Sequence, residues 1–102
     1  MSKREELLEF LKAACAGQEN ARDSGALERA LRISRSELQR NVNRLRRDGV
    51  PIGSCPRGYY YAVTAGEVYT TIRKLQQMER GLHAAVRGLE DTLKGFTGGN
   101  VP

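Results

Sequence analysis

The sequence has little of what metal centres, disulfide frameworks and membrane spans require. It contains two cysteines, Cys15 and Cys55, and a single histidine, His83. A four-ligand zinc site and a disulfide framework both need more of these residues, so we expect neither a metal ligand set nor a disulfide. No apolar run approaches the roughly 18 residues of a membrane-spanning helix, so no membrane insertion is expected.

Signals for export and for catalysis are also missing. The N-terminus turns acidic at Glu5 and Glu6, where a signal peptide would turn apolar, which predicts a cytoplasmic protein. The sequence shows no paired acids against an apolar background, no phosphate-binding loop and no second histidine. We therefore expect no enzyme activity, no catalytic residues, no cofactor and no small-molecule ligand.

The positive charge is concentrated in the middle of the chain. The 102 residues carry a net charge of +5, and the stretch from Glu28 to Arg57 holds eight arginines against three acids. The remaining residues balance at nine basic and nine acidic, so this stretch accounts for the whole excess. Because the planar arginine fork pairs with phosphates and guanine edges, a polyanion site is indicated. The alternative is an ordinary solvated helix face.

The pattern of caps, apolar spacing and turns predicts a mainly α-helical chain with one small β-hairpin. Ser2 with Glu5, Ser34 with Glu37 and Thr64 with Glu67 read as capping boxes, and Asp23 or Ser24 caps a short helix. The predicted elements are helices over 3–15, 25–31 and 35–48, strands over 50–54 and 59–63 around the turn Cys55–Gly58, and a helix over 65–96. In domain terms, 1–63 form a winged helix-turn-helix, 64–96 a dimerisation helix and 97–102 a flexible tail.

Helical spacing divides the third predicted helix into two faces. Leu38, Val42 and Leu45 form the apolar stripe, just as Leu27, Ala30 and Leu31 are expected to be buried by the second helix and Cys15 by the first. At 100° per residue, the side chains that point away from the stripe can all hydrogen-bond to a base or a phosphate, and they are Ser36, Arg40, Asn43, Arg44 and Arg47.

The stretch from Ile33 to Val50, which begins Ile-Ser-Arg and ends Arg-Arg-Asp-Gly-Val, together with Pro56-Arg57-Gly58-Tyr59, resembles the N-terminal winged-helix domain of biotin-repressor-like proteins. The likeness covers about residues 5–63, and the long helix that follows looks like small phage or prophage winged-helix proteins. The biotin-ligase domain is absent, so the resemblance implies DNA binding and nothing about biotin. The turn before the third helix carries Arg32 where this family often has glycine.

By the docking mode of that family, the third helix enters the major groove and the hairpin contacts the backbone or minor groove. The resemblance thus implies base or near-base contacts from Ser36, Arg40 and Asn43, with Gln39 as a further DNA-binding candidate. It implies phosphate contacts from Arg35, Arg44, Arg47 and Arg57. Each also has a plainer interpretation, because exposed Arg and Asn are common solubilising residues and hairpin tips are commonly solvated.

Several other residues invite a functional interpretation that a structural one outweighs. The run Tyr59-Tyr60-Tyr61 could stack on bases, but strand alternation buries at least one of these rings against the helices. His83 is expected to face solvent or an interface. Cys55 has no resolving cysteine nearby in sequence, so a redox role is not expected.

The last predicted helix carries a heptad repeat. Val68, Leu75, Leu82, Leu89 and Phe96 recur every seven residues, and Ile72, Val86 and Leu93 fill the complementary seam, with Glu79 as its one polar residue. The part from Val68 to Leu75 is expected to pack on the first helix. The remainder predicts a homodimer, with Leu75, Leu82, Val86, Leu89 and Leu93 as its contacts and the direction of pairing left open.

Together these patterns predict a sequence-specific double-stranded DNA-binding protein, a dimeric transcriptional regulator of phage or bacterial type. The alternative is a winged-helix module for protein interaction, or for replication or recombination, in which the heptad helix recruits partners.

Overall fold

The computed structural model describes residues 1–96, so the tail predicted over 97–102 lies outside the described residues. The elements are α1 (Lys3–Ala14), a 3-10 turn (Gln18–Asn20), α2 (Ser24–Leu31), α3 (Arg35–Arg47), β1 (Ile52–Cys55), β2 (Gly58–Tyr61), α4 (Ala65–Thr92) and a second 3-10 turn (Leu93–Phe96). The predicted fold class is confirmed: the chain is mainly helical, with a helix-turn-helix, a two-stranded hairpin as its wing and a long C-terminal helix.

The predicted capping residues start the helices. In all three capping boxes the hydroxyl of the cap accepts from the amide three residues later at 3.1 Å, and these caps are Ser2, Ser34 and Thr64. Asp23 caps α2 by accepting from the amide of Ala26 at 2.8 Å. Each cap satisfies an amide that has no partner inside its helix, so the four helix starts follow from local chemistry.

The turn between α2 and α3 contains a left-handed residue. Arg32 has φ 56° and ψ 51°, and its amide and that of Ile33 both donate to the carbonyl of Glu28. This backbone conformation is the one that glycine adopts most easily. Arg32 therefore makes this turn with a non-glycine residue, and Ile33 returns to the core on the other side of it.

The hairpin is tighter than predicted. Cys55 pairs with Gly58 and Ile52 with Tyr61, so a two-residue turn, Pro56-Arg57, joins the strands. The strands have four residues each, Ile52–Cys55 and Gly58–Tyr61, and they lie nearer to the turn than the predicted runs 50–54 and 59–63. Val63 leaves the hairpin, because its amide donates to the carboxylate of Glu67 at 2.8 Å instead of to a strand.

β2 has a hydrogen-bonded neighbour on each side. β1 pairs with one edge, and the segment between α1 and α2, predicted as a plain loop, bonds to the other. Arg22 and Tyr59 exchange two backbone hydrogen bonds of 3.0 and 2.9 Å, and the amide of Tyr61 donates to the carbonyl of Cys15 at 2.8 Å. The base of the wing is thus held by backbone pairing on both edges.

One apolar core lies between the three short helices and the hairpin. Its buried members are Leu7, Leu11, Cys15, Leu27, Leu31, Ile33, Leu38, Val42, Leu45, Ile52, Tyr60 and Ala62. Tyr60 is the tyrosine that strand alternation buries. Its ring lies over its cross-strand partner Gly53, where a Cβ would overlap the ring. The expectation that Ala30 is buried is wrong: Ala30 is exposed, and α2 packs through Leu27 and Leu31 alone.

The start of α4 belongs to the first of two compact units, which ends at Thr71; the second begins at Ile72. Thr71 is buried and its hydroxyl accepts from the amide of Ser54 in β1 at 3.2 Å. Burial falls along the stretch from Val68 to Leu75, which is expected to pack on the first helix. Val68 contacts the core, whereas Ile72 and Leu75 are 45% and 37% exposed.

The long helix ends earlier than predicted, because α4 stops at Thr92 and residues Leu93–Phe96 tighten into a 3-10 turn. None of the helices described in residues 1–96 combines the length and the apolar character needed to cross a bilayer.

Candidate nucleic-acid interface

The polar face of α3 is exposed as its helical spacing predicts. Leu38, Val42 and Leu45 are buried on one side, and the residues predicted to contact DNA, namely Arg35, Ser36, Gln39, Arg40, Asn43, Arg44 and Arg47, are all exposed. A helix that buries three apolar residues on one stripe presents the opposite stripe to any ligand. α3 therefore offers a continuous row of hydrogen-bond donors about 20 Å long.

Most of the arginines on this face have no acidic partner among residues 1–96. Within residues 1–96, Arg35, Arg40 and Arg47 form no salt bridge and no side-chain hydrogen bond. Arg44 does pair with Asp48, Nε to Oδ2 at 3.5 Å, but both side chains are about half exposed. A pair of this kind contributes at most about 1 kcal/mol in water, so a phosphate can displace it.

Arg4 joins this face from α1, and the sequence analysis missed it. A groove of about 420 Å³ is lined by Arg4 together with Arg40, Asn41, Asn43, Arg44 and Arg47 of α3. Lys3, its neighbour, is engaged elsewhere, because its ammonium donates to the carbonyl of Leu31 at 2.8 Å and lies 3.7 Å from Glu6. Only the packing of α1 against α3 places Arg4 here, and no local pattern in the sequence marks it.

Arg46 plays a different part from its neighbours. Its Nε donates to the carbonyl of Ile52 at 2.9 Å, and its guanidinium lies 5.8 Å from the centre of the Tyr59 ring. Burial lowers the pKa of Arg46, and the nearby Tyr59 and Tyr60 oppose this shift. Arg46 therefore attaches α3 to the hairpin. Its side chain is half-buried, whereas those of Arg44 and Arg47 on the same helix are exposed.

The wing arginine is tied to the loop between α1 and α2. Nη2 of Arg57 donates to the carbonyl of Gln18 at 3.0 Å, and the amide of Gln18 donates to the carboxylate of Glu67 at 2.8 Å. The hydrogen bonds from Val63, Gln18 and Thr64 lower the pKa of Glu67, because they stabilise its ionised form. The backbone of one residue, Gln18, thus connects the wing tip to the capping box of α4.

The structure does not bring Arg57 into the groove of the α3 arginines. Arg57 is exposed and lines a separate groove with Pro56, Arg22, Asp23 and residues at the start of α2. Its neighbour Gly58 has φ 132°, and a Cβ there would overlap the carbonyl of Arg22. Pro56 and Arg57 at the tip can therefore vary. Gly58 is required, because the backbone of Arg22 lies too close to leave room for a side chain.

The remaining singled-out residues take structural positions. Cys15 is buried in the core, where burial raises the pKa of its thiol, and Cys55 is half-buried at the end of β1. His83 is exposed on α4. Residues 1–96 contain no cluster of three side chains of the metal-ligating kinds.

No protein-family model matches the chain, and no curated protein or solved structure matches it either. The geometry and chemistry of the site are therefore the basis for a proposed function.

Proposed function

We propose that the chain is a sequence-specific double-stranded DNA-binding protein, a transcriptional regulator of phage or bacterial type. One observation supports this most: the exposed face of α3, extended by Arg4, combines unneutralised arginines with Asn43 and Gln39 on a rigid, capped helix. Arginine and the amide side chains are the groups that read guanine and adenine edges. Further arginines on the same face supply phosphate contacts.

The proposed binding mode places α3 in the major groove. Arg40 and Asn43 contact base edges there, with Ser36 and Gln39 beside them. The arginines at the margins hold phosphates and set the register of the helix, and they are Arg4, Arg35, Arg44 and Arg47. Arg57 reaches the backbone from the wing, where the carbonyl of Gln18 already orients its guanidinium.

This mode implies a steep dependence on salt. Five phosphate contacts per copy release about five counterions, so the logarithm of the binding constant should fall by about 4 to 5 for each tenfold rise in salt concentration. Between 50 and 200 mM salt the affinity should fall by a few hundredfold.

The test compares two folded double variants on random-sequence and selected duplexes. Arg40→Ala with Arg47→Ala should weaken binding to selected sites by about 30- to 1,000-fold, because one base contact and one phosphate contact are lost. Arg80→Ala with Arg87→Ala removes the same charge from exposed positions of α4 and should change affinity less than threefold. Equal affinities of the two variants would refute this assignment of the DNA-binding face.

The exposed apolar residues of α4 favour a second candidate, a winged-helix module that recruits other proteins through this helix. A chain of that kind would show weak DNA binding at low salt and no preference among sequences selected from a random pool. The selection experiment therefore separates the two candidates.

A further inference from the structure

An apolar stripe runs along α4 beyond the first compact unit. Along α4 and the 3-10 turn that follows it, eight large apolar side chains are 37–69% exposed, namely Ile72, Leu75, Met78, Leu82, Val86, Leu89, Leu93 and Phe96. Contiguous exposed apolar surface of this extent marks an interaction site in soluble chains. The stripe starts at Ile72, the first residue of the second compact unit, and Thr71 before it is buried.

The spacing of the stripe specifies a helical partner. Seven of the eight residues fall on a strict seven-residue repeat with two apolar positions. One position holds Leu75, Leu82, Leu89 and Phe96. The other, which lies four residues later in each repeat, holds Ile72, Val86 and Leu93. A repeat of 3.5 residues per turn stays on one side of a helix only when that helix supercoils around another. The surface therefore fits a second helix of the same period.

The composition of the two positions favours a pair of chains. The leucine position holds Leu75, Leu82 and Leu89, and the other position begins with the β-branched residues Ile72 and Val86, separated by the single polar residue Glu79. The Ile72 position is position a of the heptad and the Leu75 position is position d. Among parallel coiled coils, β-branched residues at a with leucine at d favour two strands, and one polar residue at a specifies register and the number of chains. We infer that two copies of this chain associate through Ile72–Leu89 of α4 as a parallel two-stranded coiled coil with the two Glu79 side chains in one layer.

The flanking positions favour a second copy over a different chain. Partner choice in coiled coils is set by complementary charges beside the seam. Between Gln76 and Thr92 these positions hold Gln76, Met78, His83, Ala85, Glu90 and Thr92. With one carboxylate among six residues, two identical helices meet no row of like charges, and no charge pattern selects another sequence.

The exposed apolar surface is extensive in such a pair. Two copies together present sixteen large apolar side chains that are each more than one third exposed, and specific interfaces bury about 1,200–2,000 Å² in total. The glycines Gly81 and Gly88 face away from the seam, and nothing lies within 4 Å of a Cβ built on either. Replacing them by alanine is therefore sterically free in a pair that uses the leucine seam.

The first experiment measures the mass of the full chain by sedimentation equilibrium from about 1 to 200 µM without DNA, so its outcome does not depend on the proposed function. A two-chain mass is expected. A single-chain mass throughout would overturn the inference and assign the stripe to a different protein, and a three- or four-chain mass would overturn the two-stranded pair. Gly81→Ala with Gly88→Ala should tighten the dimer; a weaker dimer would mean that the small residues form the contact instead.

The second experiment tests the layer of Glu79. Glu79→Gln should lower the dimer dissociation constant about tenfold, because it removes two facing charges from the seam. Glu90→Gln makes the same chemical change outside the seam and should shift the constant less than threefold. If Glu79→Gln changed the dissociation constant no more than Glu90→Gln does, the placement of Glu79 in the seam would be wrong.

The third experiment tests direction by oxidative cross-linking. Leu75→Cys and Leu89→Cys should each form dimers linked to their own kind, because identical positions face each other in a parallel pair. The parent chain, with Cys15 and Cys55, sets the background under the same oxidant. In an antiparallel pair positions 75 and 89 cannot both face their own kind, so the failure of either variant to form its own linked dimer would overturn the parallel arrangement.

Discussion

Arg32 is a residue whose backbone conformation conflicts with its side chain. It is the single non-glycine residue of the described chain with a positive φ, and the left-handed conformation costs an L-residue about 1–2 kcal/mol. The turn between α2 and α3 requires this conformation, because the amides of Arg32 and Ile33 both bond back to Glu28. The molecule therefore carries local strain next to its proposed DNA-binding helix.

Arg32→Gly should raise the free energy of unfolding by about 0.5–1 kcal/mol, since relief of the left-handed strain exceeds the added entropy of the unfolded chain. Urea denaturation at neutral pH measures this difference. Arg29→Gly, at an exposed position inside α2, should instead lower stability by about 1 kcal/mol. A loss of stability in Arg32→Gly would show that the Arg32 side chain contributes more than its backbone costs.

α3 and the wing differ in how their arginines are held. Arg40 projects from a capped helix and bonds to nothing else in residues 1–96, whereas Arg57 is already bonded to the carbonyl of Gln18. In the proposed complex the helix reads bases and the wing holds phosphate. Loss of an arginine from each element should therefore have a different signature.

Arg40→Ala should cost about 1–3 kcal/mol at selected sites and relax the preference at one base pair. Arg57→Ala should weaken all sequences about equally and reduce the salt slope by about 1. Selection from a random pool, followed by titration at several salt concentrations, measures both effects. If Arg57→Ala left the salt slope unchanged, the wing would have no phosphate contact.

For the molecule as a whole, the proposals join a DNA-binding unit to a pairing helix. In the proposed dimer, two copies of the proposed DNA-binding unit belong to one molecule. Two copies of α3 on one duplex would read a site made of two half-sites. The affinity of the pair then exceeds that of one unit, because the second contact becomes intramolecular.

Leu82→Lys with Leu89→Lys should give a single-chain mass, retain the fold of residues 1–71, and bind DNA at least about 100-fold more weakly. Sedimentation, near-ultraviolet signals from the buried Tyr60 and DNA titration check the three outcomes. Gln77→Lys with Ala84→Lys adds the same charge at exposed positions outside the seam and should preserve both the pair and the affinity. Undiminished DNA binding by a monomeric Leu82→Lys, Leu89→Lys variant would show that one copy suffices.

The features that were predictable from the sequence depend on residues within about one helical turn or one strand pair of each other. The caps Ser2, Ser34 and Thr64, the buried stripe of α3 and the heptad spacing of α4 are of this kind, because hydrogen bonds and side-chain periods act over three to seven positions. The order helix, turn, helix, hairpin and long helix follows from them.

The tertiary structure decided the rest, because it depends on which distant segments approach each other. Arg4 enters the groove only through the packing of α1 on α3, and Arg46 turns inward to the carbonyl of Ile52. Arg57 meets Gln18, 39 positions away, and Thr71 becomes buried against Ser54. None of these contacts has a local signature, because the sequence around an arginine does not show whether the fold will bring a hydrogen-bond acceptor to its side chain.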